Sequence, residues 1–156
     1  MMKKVKLSEI SKTQIWTLEE EVQKIAKEVR EKFQPIFQLN SYNLLITFSR
    51  NNVNPKNFPN YPEVTKEQCL EPYYCSSVGV TVTDIDGNLI GNEDDGYLFG
   101  EGLTIWEVEK TFLFFSVDEF PLSSTKGFLL ALSPSEIKKE LEHDVFFLAK
   151  ELNIQI

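Results

Sequence analysis

Apolar residues recur at helical spacing between positions 17 and 33. Leu18, Val22, Ile25, Val29 and Phe33 fall on one stripe, with Ala26 beside them. Thr17 and Glu20 stand in the relation of a capping box, and Glu20 to Lys24 and Glu28 to Lys32 are favourable pairs four residues apart. Pro35 is expected to stop this helix. A second helix is predicted over 134–152. Ser133 is its N-cap, Pro134 takes the first helical position and Glu136 completes the box. Ile137, Leu141, Val145, Leu148 and Leu152 form its buried stripe, which leaves Phe146 and Phe147 on its flanks.

Between the helices the apolar period shortens to two, and strands are predicted over 42–49, 77–85, 88–91, 103–109, 111–117 and 127–132. In 111–117 and 127–132 both alternating sets are apolar, the pattern of central strands covered on both faces. Val78, Val80 and Val82 alternate with Ser77, Gly79, Thr81 and Thr83, which predicts one wet face and a place toward the sheet edge. The chain therefore reads as a single α+β domain, with an antiparallel or mixed sheet of five to six strands between an N-terminal and a C-terminal helix. Residues 50–75 break the pattern. Five Asn (51, 52, 54, 57 and 60) and four Pro (55, 59, 62 and 72) block regular pairing and predict a long, mobile loop. Phe58, Tyr61, Tyr73 and Tyr74 give part of it apolar side chains with which to pack down.

Length and composition agree with this picture. A compact domain of 156 residues buries roughly 70% of its unfolded surface, and twelve Phe supply large side chains for an interior. The start of the chain is basic, but Ser8, Glu9, Ser11 and Lys12 interrupt any apolar run. No apolar stretch approaches the ~20 residues of a membrane-spanning helix, so a soluble cytoplasmic protein is expected. Cys69 and Cys75 are expected as free thiols. With His143 as the one histidine they do not supply the four ligands of a structural zinc, and neither metal nor cofactor is expected.

No catalytic motif emerges. His143, between Glu142 and Asp144, falls on the polar side of its helix and should face solvent. Asp84, Asp86, Asn88 and Asp95 occupy positions one, three, five and twelve of an EF-hand-like loop. Leu89, however, stands where that loop needs glycine, and strands replace the flanking helices. A hairpin turning at Asp86–Gly87 in type I′ geometry is the simpler prediction. Gly96, Gly100 and Gly102 match neither a P-loop nor a dinucleotide fingerprint.

Charge distribution is more informative. From Glu67 to Glu109 there is no Lys or Arg, while Glu67, Glu71, Asp84, Asp86, Glu93, Asp94, Asp95, Glu101, Glu107 and Glu109 are acidic in a chain of net charge −8. Such a face repels nucleic acid and attracts a basic protein. Tyr97, Phe99 and Trp106 lie among the carboxylates, and aromatics inside a charged rim are a common interface composition. The expected contact residues are thus Glu93, Asp94, Asp95, Tyr97, Phe99, Glu101 and Trp106. The expected function is a non-enzymatic protein-binding module, of the inhibitor or immunity type, masking a basic partner such as a nuclease. An acidic chaperone for a secreted protein is a related reading, a small hydrolase or lyase using paired carboxylates is a reading from another class, and the bland alternative is an acidic surface that serves only solubility. Phe146 and Phe147 are the expected interface of a homodimer.

Overall fold

The computed structural model describes residues 1–51, 74–108, 111–112, 115–116 and 126–156. In chain order these give β1 (Met2–Lys6), a 3-10 turn (Leu7–Glu9), α1 (Lys12–Leu39), β2 (Tyr42–Asn51), β3 (Cys75–Asp84), β4 (Gly91–Asn92), β5 (Gly96–Tyr97), β6 (Leu103–Val108), β7 (Thr111–Phe112), β8 (Phe115–Ser116), β9 (Lys126–Leu130) and α2 (Pro134–Glu151). The predicted loop falls almost wholly on 52–73, with Cys69, and lies outside the described residues. Cys75 is a free thiol.

Helix α1 is longer at both ends than predicted. Its capping box is formed by Ser11 and Gln14, where Ser11 Oγ accepts the Gln14 N–H at 3.3 Å and Gln14 Oε1 accepts the Ser11 N–H at 2.8 Å. Thr17, the predicted cap, is inside the helix and donates its hydroxyl to the Thr13 carbonyl at 2.8 Å. Pro35 does not end the helix either. It removes one backbone donor at a penalty of about 3 kcal/mol, yet the same stripe continues beyond it to Phe37, which is fully buried. Burial of one such ring returns about 1.5–3 kcal/mol, which offsets much of that penalty and favours continuing the helix to Leu39.

Strands β1, β9, β6, β3 and β2, in that order, form one mostly antiparallel sheet of five strands, so the architecture is α+β as predicted. Strand β9 is interior, antiparallel to β1 from Met2↔Leu130 to Lys6↔Lys126 and to β6 from Trp106↔Leu129 to Val108↔Gly127. Segment 111–117 departs from the prediction of a central strand. Thr111 pairs with Ser116 and Phe112 with Phe115 in a two-stranded ribbon apart from the main sheet, and 113–114 and 117 lie outside the described residues. Apolarity at successive positions does not distinguish an inserted strand from a hairpin. Strand β3 is fourth of the five, beside the edge strand β2, so it lies toward an edge as predicted without being one. Its alternation is largely as read, with Ser76, Val78, Val80 and Val82 buried and Gly79 exposed, but Thr83, predicted on the wet face, is buried too. An edge belongs to β1, a Lys-rich strand that periodicity did not mark and that suits an edge for that reason.

The chain gathers into two compact units. One draws on Met1–Glu21, Ser49–Ser77 and Thr104–Leu132. Its core joins Leu7, Ile10, Ile15, Tyr74, Trp106 and Val108. The other draws on Val22–Phe48, Val78–Leu103 and Ser133–Ile156 and buries Val29, Phe33, Val80, Leu141, Val145 and Leu148 among others. The capping box of α2 is the predicted one, with the Ser133 N–H donating to Glu136 Oε2 at 2.7 Å and the Glu136 N–H donating to Ser133 Oγ at 3.3 Å. Among the described residues no helix is long and apolar enough to cross a membrane.

Candidate protein-binding surface

Of the acidic stretch, Asp84, Asp86, Glu93, Asp94 and Asp95 lie on two successive turns at and beyond the end of β3. At the first, the Gly87 N–H donates to the Asp84 carbonyl at 3.2 Å and the Asp84 N–H to the Asn88 carbonyl at 2.9 Å. Gly87 has φ +87°, while Asp86 is not among the residues with positive φ. This is a three-residue loop closed by a left-handed glycine, not the predicted type I′ turn, which needs positive φ at both central residues. The Asp84 carboxylate accepts the N–H groups of Asp86 and Asn88, each at 2.9 Å, and the Asn88 side-chain amide at 3.1 Å. Those bonds, the Asn88 backbone donor foremost, hold its carboxyl below the ordinary value. Asp84 is therefore tied into its own turn.

The second turn carries Glu93, Asp94 and Asp95 between β4 and β5, which pair Gly91↔Tyr97 and Asn92↔Gly96. Gly91, at φ +122°, lies so close to the Gly96 and Tyr97 backbone that no side chain fits there. The Asp95 N–H donates to Asn92 Oδ1 at 2.7 Å, and Asn92 Nδ2 donates to Asp95 Oδ2 at 3.2 Å. Phe99 then bridges to Thr81, and the Gly100 N–H donates to the Val80 carbonyl at 2.8 Å, returning the chain to β3.

Six of the seven predicted contact residues lie on this projection or directly after it. Glu93, Asp94, Asp95 and Glu101 are exposed, and Tyr97 and Phe99 keep 41% and 49% of their surfaces open. Their rings meet edge to face with centroids 6.5 Å apart at 62°. Trp106 is the exception. It is 0% exposed, in the core of the other unit, its ring packed on Gly127 where a β-carbon would have no room. An aromatic on a strand that alternates faces is as easily core as surface, and Trp106 is core.

Asp144 supports the projection, and the sequence reading passed over it as a polar neighbour of His143. It is 4% exposed. Its Oδ1 accepts the Glu101 N–H at 3.1 Å and its Oδ2 the Gly102 N–H at 2.9 Å. Gly100 lies so close that a β-carbon there would come within 2.9 Å of the Asp144 side chain. The segment next to Phe99 is thus held by a buried carboxylate from α2. The signal was present in the helical stripe, because position 144 lies three residues from Leu141 and four from Leu148. His143 is exposed, as predicted. Phe146 and Phe147 are 48% and 41% exposed, Phe146 touching Phe33 edge-on at 5.5 Å.

A second buried carboxylate, Glu19, is the hub of a closed network in the other unit. Trp16 Nε1 donates to the Tyr74 hydroxyl at 2.8 Å, and that hydroxyl donates to Glu19 Oε1 at 2.6 Å. Arg50 Nε donates to Glu19 Oε2 at 3.1 Å and Arg50 Nη2 to the same oxygen. The guanidinium stands 5.5 Å from the centre of the Trp16 ring, which completes the circuit. Burial, the hydrogen bond to Glu19 and the charge of Glu19 all push the Tyr74 phenol far above its ordinary value. Burial opposes the charge on Arg50, but its hydrogen bond to Glu19 and the fields of Tyr74 and Glu19 prevail and raise it. With the Tyr74 phenol kept protonated and Arg50 kept charged, the cluster suits structure better than proton transfer.

Among the described residues, no group of three or more His, Cys, Asp or Glu side chains is placed to hold a metal ion. Comparison with known proteins finds no matching family model, no matching curated protein and no matching solved structure.

Proposed function

We propose that this chain is a non-enzymatic, cytoplasmic protein-binding module that offers an acidic surface with an aromatic centre to a basic partner, as an inhibitor or immunity-type protein masking a nuclease would. The observation that carries the reading is the open Tyr97–Phe99 pair beside Glu93, Asp94, Asp95 and Glu101. Aromatic residues at the centre supply contact area, and the surrounding charges steer the encounter. A surface kept only for solubility needs no exposed rings. The hydrolase reading calls for a cleft with converging carboxylates. One groove among the described residues, of about 200 Å³ between α1 and β2, is lined by Gln23, Ala26, Lys27, Arg30, Ile46 and Phe48 and contains no carboxylate pair.

The triple substitution Glu93→Lys, Asp94→Lys and Asp95→Lys tests the proposal. Proteins retained by the immobilised wild-type chain from its native host are expected to be lost from the variant. The salt dependence of the remaining binding should flatten, while circular dichroism stays unchanged. Equal retention by both forms would reduce the acidic stretch to a solubility feature.

A further inference from the structure

Three rings of this chain lie beside its own cations: the half-buried Phe128, the buried Phe33 and the exposed Trp16. Lys4 Nζ stands 5.7 Å from the centre of the Phe128 ring, Lys32 Nζ 4.8 Å from that of Phe33, and the Arg50 guanidinium 5.5 Å from that of Trp16. No such contact is made to Tyr97 or Phe99 among the described residues, and both belong to a stretch that has no Lys or Arg from 67 to 109. The two rings meet edge to face at 62°, and a planar cation would be drawn to an open ring face, the negative side of the quadrupole. Exposed carboxylates at Glu93, Asp94 and Glu101 belong to the same projection. Asp144 fixes the backbone at Glu101 and Gly102, so little ordering remains to be done when a cation arrives.

From this we infer that the Tyr97–Phe99 pair is a receptor for an arginine side chain of the partner protein, with the surrounding carboxylates neutralising its charge. The inference rests on the acidic-surface reading proposed above and narrows it from a basic partner to one that presents arginine. Arginine is favoured over lysine because its planar, weakly hydrated guanidinium stacks on a ring as well as attracting it, whereas an ammonium is a compact and strongly hydrated charge.

Hexa-arginine and hexa-lysine peptides serve as probes, titrated into the full-length protein and followed through the amide and ring resonances of Tyr97 and Phe99. The wild type is expected to bind hexa-arginine about three- to tenfold more tightly than hexa-lysine. The variant Tyr97→Leu/Phe99→Leu keeps the apolar area and the charges, and should bind both peptides with the same salt dependence but a ratio near one. A wild-type ratio of one, or a ratio that survives in the leucine variant, overturns the arginine receptor and leaves the acidic surface standing. If Glu93→Gln/Asp94→Asn/Asp95→Asn/Glu101→Gln instead binds both peptides as the wild type does, the acidic-surface reading fails and the receptor with it.

Discussion

Glu19 has no exposed surface, and a carboxylate in that position survives only if it is charge-paired and its oxygens are bonded. Tyr74 and Arg50 do both. Glu19→Gln keeps the shape but removes the charge, leaving Arg50, whose side chain is one-third exposed, to be partly compensated by water. The expected loss is about 2–3 kcal/mol, read as a lower urea midpoint with an unchanged slope. Tyr74 brings a second dependence. Its phenol is held protonated above the ordinary value of 10.0, so the folded state binds that proton more tightly than the unfolded chain does. Its contribution is complete below about pH 10 and declines as the pH rises further. Urea midpoints measured between about pH 9 and pH 11 should therefore fall, and fall less in Tyr74→Phe. Neither role was read from the sequence, although the helical stripe contains the clue. Stepping back from Val22 by three and then four reaches Glu19 and Ile15, both buried, whereas Leu18, the apolar choice, is only half-buried.

At the scale of elements, local chemistry proved the dependable guide. Helix α2 begins at the predicted residue because Ser133, Pro134 and Glu136 decide its start among themselves. Helix α1 differs from the prediction at both ends: at its start because Ser11 and Gln14 form a local capping box with Gln in place of Glu, and at its end because burial of Phe37 keeps the last turn. Pro35 therefore sits in a helix that does not want it. Pro35→Ala should restore the backbone bond to Glu31 and stabilise the protein by about 2–2.6 kcal/mol, the propensity gain less the added freedom of the unfolded chain. Thermal denaturation followed at 222 nm checks this, and a lower midpoint would mean that the proline ring itself is needed. Strand order was beyond reach of periodicity. The two-faced apolarity of 111–117 and the alternation of β3 each describe local surroundings, and neither encodes which strand lies alongside.

For the molecule as a whole, the acidic stretch and its aromatic pair were legible because charge and exposure follow from composition once the turns are placed. The supports beneath them were not, since Asp144 and Glu101 are 43 residues apart in sequence and meet only in the fold. Glu19 spans comparable distances: it bonds to Arg50 across 31 residues and to Tyr74 across 55, and Trp16 reaches Tyr74 across 58. Contacts of such separation form only after long stretches of chain have been brought together. The Trp16–Tyr74–Glu19–Arg50 circuit should thus close late, after the rate-limiting barrier to folding, and act as a brake on unfolding. Glu19→Gln is then expected to steepen escape from the native state while the refolding rate in stopped-flow experiments stays close to wild type. A slowed refolding limb would place the circuit in the nucleus instead. Because a late contact sets how long each folded molecule lasts, the four side chains would govern the lifetime of the protein under proteolytic challenge wherever cleavage outpaces reclosing.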